Sequence, residues 1–307
     1  MIKRYLDTVE LLIQAAPLVF ADERMALKGG TAINLFVRDM PRLSLDLDLV
    51  LVDRALGRDQ ALASIGAQLR DARDRLLGAR FQARVVATSG GDEARLQVRR
   101  GDLEVKIEIN HVMRGTLLPV RPRRMAAAAR RTLRADLTLP LLHEDELYGS
   151  KLVAALDRQH PRDLFDVVQL YAHGGITPGM RRCFVVYLAC HNRPTHEVLF
   201  ASEKDIRLAY ESQFSGMTAE ETPLDQLLDV RARLLRELPA SLDEAERAFL
   251  RSLVRAEPDF DLLGIPHLGD LPALRWKVEN LRQLASNNPA KLRTQADALD
   301  ERLGALP

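Results

Sequence analysis

Two aspartates stand two residues apart inside an aliphatic run, Leu45-Asp46-Leu47-Asp48-Leu49-Val50, and no other stretch constrains the fold as tightly. In an extended strand, residues i and i+2 share one face. Both carboxylates therefore point the same way while leucines fill the other side. Adjacent carboxylates repel each other and desolvate poorly, so such a pair calls for a cation. Upstream, Leu27-Lys28-Gly29-Gly30-Thr31-Ala32 supplies a loop without bulk that leads into Ala32-Ile33-Asn34-Leu35-Phe36, a helix start. A glycine turn opening a helix offers unsatisfied N–H groups to phosphate. Phosphate donors beside a metal-binding carboxylate pair point to metal-dependent phosphoryl or nucleotidyl transfer. The bland alternative, a solvated surface strand, fits poorly with leucines on both sides of each aspartate.

The surrounding pattern is mixed. Residues 4–18 carry apolar side chains at helical spacing, and residues 55–78 do so among many charges, as an exposed amphipathic helix would. Three strands are predicted at Phe81–Thr88, Ala94–Arg99 and Leu103–Asn110, with Gly90-Gly91-Asp92 and Gly101-Asp102 as hairpin turns. In the third strand Leu103, Val105, Ile107 and Ile109 face one side, and Glu104, Lys106, Glu108 and Asn110 the other. If helices cover the apolar side, Lys106 and Glu108 emerge on the open face, where Glu108 would complete a triad with Asp46 and Asp48. A merely solvated strand face is the competing reading. Residues 121–134 hold Arg121, Arg123, Arg124, Arg130, Arg131 and Arg134 around an alanine-rich turn, with Arg114 upstream. This local positive patch could track a phosphate backbone; the competing reading is an exposed helix and loop with ordinary solvated arginines.

From Glu144 the pattern is helical to the end, which predicts two domains, residues 1–142 and 143–307. Arg158-Gln159-His160-Pro161 interrupts the first of these helices, and Gly174-Gly175 ends the next. Ser241-Leu242-Asp243-Glu244 fits a capping box, and Trp276 reads as core. Lys and Arg total 44 against 43 Asp and Glu, so overall charge advertises no polyanion. Cys183 and Cys190 share one predicted helix and read as buried thiols. No histidine pair has zinc-ligand spacing. No window is apolar enough to span a membrane, and the N-terminus lacks an export signal; the chain reads as cytoplasmic.

Taken together, these stretches resemble the AbiEii/AbiGii nucleotidyltransferase toxins. The glycine loop with Arg42-Leu43-Ser44-Leu45-Asp46-Leu47-Asp48-Leu49 is similar to that family's first motif, and Lys106-Ile107-Glu108 to its second. Glu146 to Lys151, then Arg158 and Arg162-Asp163-Leu164-Phe165-Asp166, resemble the third and fourth, and the tail around Leu271-Pro272 and Trp276 resembles the longer members. The resemblance implies an α+β fold: a small mixed-sheet, DNA polymerase β-like domain followed by a helical domain that supplies Lys151 and Asp163 to the cleft. It implies that Asp46 and Asp48 hold Mg²⁺, as two ions roughly 3.5–4 Å apart, with Glu108 as third acid. It also implies that Gly29, Gly30 and Thr31 cradle the triphosphate, helped by Lys28, Ser44 and Lys106, with Lys151 on phosphate and Asp163 and Asp166 completing the cleft. The expected reaction carries a nucleotide from a nucleoside triphosphate to an RNA acceptor, a tRNA 3′ end first of all, within a toxin–antitoxin or phage-defence pair having a cognate antitoxin. Transfer to a small molecule or protein, and nucleotide binding without turnover, are the rival readings. Two departures from the family pattern stand out: Leu45 occupies a commonly acidic position, and the third acid is glutamate, which ligates Mg²⁺ as aspartate does.

Overall fold

A computed structural model of the protein describes residues 3–22, 24–87 and 93–306. The strand end at Thr88 and the turn at Gly90-Gly91-Asp92 lie outside the described residues. The first half runs α1 (Lys3–Val19), β1 (Met25–Lys28), α2 (Gly29–Ala32) continuing as a π turn (Ile33–Val37), β2 (Asp46–Leu51), α3 (Arg58–Gly78) and β3 (Gln82–Ala87). It continues with β4 (Glu93–Arg100), β5 (Leu103–Ile109), β6 (Arg121–Arg124), α4 (Ala127–Leu133), β7 (Thr138–Leu141) and α5 (Glu144–Asp157). The second half is helical: α6 (Pro161–Ala172), α7 (Pro178–Ala189), α8 (Thr195–Leu199), α9 (Arg207–Gln213), α10 (Leu224–Ala240), α11 (Glu244–Val254), α12 (Pro272–Asn287) and α13 (Pro289–Gly304). The fold is therefore α+β. The chain divides into two compact units, Met1–Leu147 with Gly216–Glu221, and Tyr148–Ser215 with Thr222–Pro307. The changeover falls inside α5, a few residues beyond the expected boundary at 142/143, and the short return of 216–221 has no counterpart in the sequence reading.

In the first unit seven strands form one mixed sheet in the order β3-β4-β5-β2-β1-β7-β6. β2 lies parallel to β5 and antiparallel to β1, in a register that aligns Leu47 with Ile107 and Leu49 with both Ile109 and Leu27. These residues line one face, and they are buried because α1 and α3 pack on the sheet. α3 presents Ala61, Ile65, Leu69, Ala72 and Leu76, a stripe three or four residues apart. Burial of each such leucine or isoleucine contributes roughly 1.5–3 kcal/mol, so a register slip that moved the aspartates to this face would be strongly disfavoured.

Three expectations need correction. Arg121–Arg124 is strand β6 rather than a helix or loop, paired antiparallel with β7 at the end of the sheet. An edge strand has one pairing neighbour, so it tolerates Pro122 and a run of charge that no periodicity argument recognises. The capping box opens at Asp243, not Ser241: its carboxylate accepts from Glu246 N at 2.9 Å, and the Glu246 carboxylate accepts from Asp243 N at 3.0 Å. Ser241 instead closes α10, its hydroxyl donating to Leu238 O at 2.8 Å. Trp276 is 59 % exposed rather than core, because α12 buries Ala273, Leu274, Lys277, Val278 and Leu281 and turns Trp276 outward. Cys183 and Cys190 are free and buried, as read from the sequence.

Candidate active site

The polar face of the sheet gathers the first two motifs. The register pairs Asp46 with Lys106 and Asp48 with Glu108 across β2 and β5, and Lys28 with Asp48 across β1 and β2. Directly paired residues share a face, so Lys28, Asp46, Asp48, Lys106 and Glu108 form one polar cluster. The same strands keep Leu47, Ile107 and Leu27 on the buried side. Asp46 and Asp48 are half-buried, and Lys106 is exposed. Glu108 is turned toward Arg95 of β4, with Oε1 2.7 Å from the guanidinium. Among the described residues no three His, Cys, Asp or Glu side chains converge as a ready-made cage. One carboxylate oxygen of Glu108 is thus already shared with a cation.

The glycine loop is pressed onto this cluster. Gly29 sits at φ +73°, and a Cβ there would stand 2.3 Å from Asp48 Oδ2. Both the backbone sign and the space require glycine. Behind the loop, the Thr31 hydroxyl donates to Asp46 O at 2.5 Å, and Asn34 Nδ2 donates to Gly30 O at 2.9 Å. Thr31 is fully buried, so its side chain straps the loop to β2 rather than reaching outward. Gly29→Ala is accordingly expected to destabilise the protein by about 1–3 kcal/mol, as the thermal unfolding midpoint measures.

One residue of the first motif acquires a role that the sequence reading left unassigned. Arg42 is 2 % exposed, and its Nη2 lies 2.8 Å from where a Gly30 Cβ would be. Ser44 Oγ, also buried, is 3.0 Å from the same point. Arg42 Nη1 donates to Leu43 O at 2.9 Å, and the segment is held by the returning residues, with Leu43 N donating to Met217 O at 2.9 Å and Ala219 N to Pro41 O at 2.8 Å. A guanidinium is thus built in beneath the glycine loop. The signal was available: an arginine between Pro41 and Leu43, in a motif otherwise aliphatic, is costly to bury without a purpose.

Lys151, Asp163 and Asp166 belong to the second unit, where they engage one another. Asp163 and Asp166 sit three residues apart on one face of α6. Lys151 Nζ lies 2.8 Å from Asp163 Oδ1 and 2.9 Å from Asp166 Oδ2, with all three side chains at most 6 % exposed. Arg158 adds two contacts to Asp163, at 2.5 and 2.9 Å. Burial alone would raise the Asp163 carboxyl, but the charges of Lys151 and Arg158 outweigh it and hold the group well below the usual carboxylate range. A carboxylate depressed in the folded state adds stability that is complete above its unfolded value, near 4, and is lost as pH falls through the folded value. Asp163→Asn should therefore flatten the acid limb of the stability profile below about pH 5, as read by unfolding midpoints across pH.

The arginine cluster is partly neutralised. Arg123 pairs with Glu144 at 3.2 Å, Arg124 with Asp136, and Arg130 approaches Asp136 at 3.8 Å. Arg121 and Arg131 are exposed. Arg114 lies apart, buried in the loop after β5.

A glycine loop opening a helix is thus set against two same-face aspartates on a central strand. The family model described as nucleotidyl transferase AbiEii toxin, type IV TA system, matches residues 10–280. The chain belongs to this family and is a nucleotidyltransferase toxin of a type IV toxin–antitoxin system. Membership implies a nucleoside triphosphate substrate and an antitoxin partner. Among solved structures, MenT4, a nucleotidyltransferase toxin from Mycobacterium tuberculosis H37Rv, is similar with a TM-score of 0.59 at 19% identity, covering 92% of this chain and 94% of that one. That likeness bears on the fold. No curated protein sequence matches the chain. Among the described residues no helix is long and apolar enough to cross a membrane.

Proposed function

We propose that the protein transfers a nucleotide from a nucleoside triphosphate to an RNA acceptor, a tRNA 3′ end in the first instance, with Mg²⁺ held by Asp46, Asp48 and Glu108. The observation that carries this reading is the parallel register of β2 and β5, which sets Asp48 beside Glu108 and opposite Gly29. The donor set fits the ion: Mg²⁺ takes carboxylate oxygens and leaves positions for phosphate and water. Bound there, the metal would offset the charge of carboxylates and triphosphate and act as a Lewis acid on the transferring phosphoryl group. The backbone of Gly29, Gly30 and Thr31 would hold the triphosphate, with Lys28 and Lys106 beside it and Arg42 and Ser44 fixing the loop from behind. Glu108 would accept the proton of the attacking hydroxyl. Lys151, Asp163 and Asp166 serve in this reading by holding α5 to α6. The test is to offer each labelled triphosphate together with total RNA and total protein. Label entering RNA is the expected result; label entering protein or small molecules instead would select the rival acceptor classes.

A further inference from the structure

Arg114 is a cation in an unusual position. It is 9 % exposed, its Nε is buried without a hydrogen-bond partner, and its only side-chain bond runs from Nη1 to Arg58 O at 3.3 Å. Among the described residues no carboxylate pairs with it. The nearest charged neighbour is another cation: burial and then the charge of Arg58 push the Arg114 guanidinium below its ordinary value. The surrounding acids are committed elsewhere or point to solvent. Asp53 Oδ1 accepts from Ala55 N at 2.8 Å, and Asp59, 98 % exposed, lies 3.9 Å from Arg58 on the helix surface. A buried charge ordinarily acquires a counter-charge or titrates away, and arginine does not titrate away.

The backbone holds Arg114 in place. Asn110 Oδ1 accepts from Val112 N and Met113 N, both at 2.9 Å, and Gly115 N donates to Leu51 O at 2.8 Å. At Gly115 a Cβ would stand 2.5 Å from Arg54 Cβ, so the loop is closed down onto the segment that opens α3. That helix has 21 residues and begins at Arg58 after Gly57, with no side chain capping its first turn. Its leading N–H groups and positive dipole end therefore lie beside Arg114. Arg58 contributes a side chain 71 % exposed above the same turn. One buried cation, one exposed cation and a helix start without a side-chain cap converge here.

We propose that Arg58, Arg114 and the first turn of α3 form a docking point for one phosphate of the acceptor RNA backbone. The inference rests on the RNA-acceptor reading above and adds to it where the acceptor is gripped. Guanidinium pairs with phosphate bidentately and is retained where the planar fork matters. A backbone contact binds every sequence alike and positions the strand without reading it. The loop carrying Arg114 follows β5, the strand of Glu108, so a phosphate held there belongs to the same compact unit as the polar face of the sheet.

The experiment measures binding of an unmodified tRNA transcript to the full-length protein by fluorescence anisotropy across a salt series, alongside nucleoside triphosphate binding by calorimetry. The variants are Arg58→Gln, on the surface, and Arg114→Gln, with exposed Arg236→Gln as a charge-matched control. Each of the first two is expected to lower the slope of log Kobs against log salt by about one and to weaken binding severalfold near 0.1 M salt. The control and the triphosphate affinity should stay unchanged, and Arg58→Gln answers for folding if Arg114→Gln is unstable. Wild-type slope and affinity in Arg58→Gln and in folded Arg114→Gln would overturn the docking point while leaving RNA modification intact. Lost triphosphate affinity with RNA binding untouched would assign the cations to the donor nucleotide and also overturn it. A wild-type protein that neither binds nor labels RNA removes the acceptor reading, and the docking point with it.

Discussion

Lys151→Met is expected to destabilise the second unit by about 3–5 kcal/mol, the cost of leaving buried charge without its partner. The lysine bridges two carboxylates that are 2 % and 0 % exposed. Arg158 can still compensate Asp163, since it contacts both of its oxygens, but Asp166 loses the 2.9 Å ion pair with the Lys151 ammonium. At roughly 2–4 °C per kcal/mol for a unit of this size, the unfolding midpoint should fall by about 10 °C. Adding Asp166→Asn to Lys151→Met removes the stranded charge and should recover part of the loss, giving a coupling energy of the kind found for residues in one ionic network. Differential scanning calorimetry of the two single variants and the double variant measures it. This cycle also decides how activity data on Lys151 are read. A variant that regains stability but not nucleotide transfer would show a share in the chemistry beyond holding α5 to α6.

Asp48→Asn carries the largest expected effect on activity. The substitution is nearly isosteric, so the packing of Gly29 against the side chain persists, and stability should change by less than about 1 kcal/mol. What changes is charge: one of two same-face carboxylates is lost from the proposed metal site. Electrostatic groups aimed at a reacting centre typically carry factors of about 10²–10³ each, and a metal ligand acts through every step that the ion supports. Transfer should fall by about 10³-fold or more. Asp46→Asn is expected to behave the same way, and Glu108→Gln, which would remove the proposed third ligand and proton acceptor, should also lower transfer.

Much of the first unit was legible in the sequence because two kinds of local rule agreed. Period-two alternation in Leu103–Ile109 and the Asp46/Asp48 interruption both survive as strand faces, since a one-residue slip would bury charge. Glycine positions were readable because positive φ at Gly29 is a backbone demand that few other residues meet. Strands β1, β6 and β7 were missed: each is four residues long, too short for periodicity to register, and β6 is held by its neighbour rather than by its own pattern. The return of residues 216–221 onto Arg42 is a contact across more than 170 positions, which no local rule encodes. The ion network of Lys151 shows a different limit. The resemblance set Asp163 and Asp166 in the cleft, but only packing reveals that both meet a buried lysine from the preceding helix. Trp276 failed for the opposite reason: aromatic character suggests core, while helix phase decides it.

The central claim is that the aspartate pair on β2 supports nucleotide transfer. It is tested most directly by incubating wild-type and Asp48→Asn protein side by side with labelled triphosphate and tRNA while Mg²⁺ is titrated, and following label in the RNA. Labelling by the wild type is expected to rise and saturate with Mg²⁺. Background labelling is expected at every Mg²⁺ concentration for a variant whose unfolding midpoint is unchanged. A folded Asp48→Asn protein that labels RNA at the wild-type rate would contradict the claim.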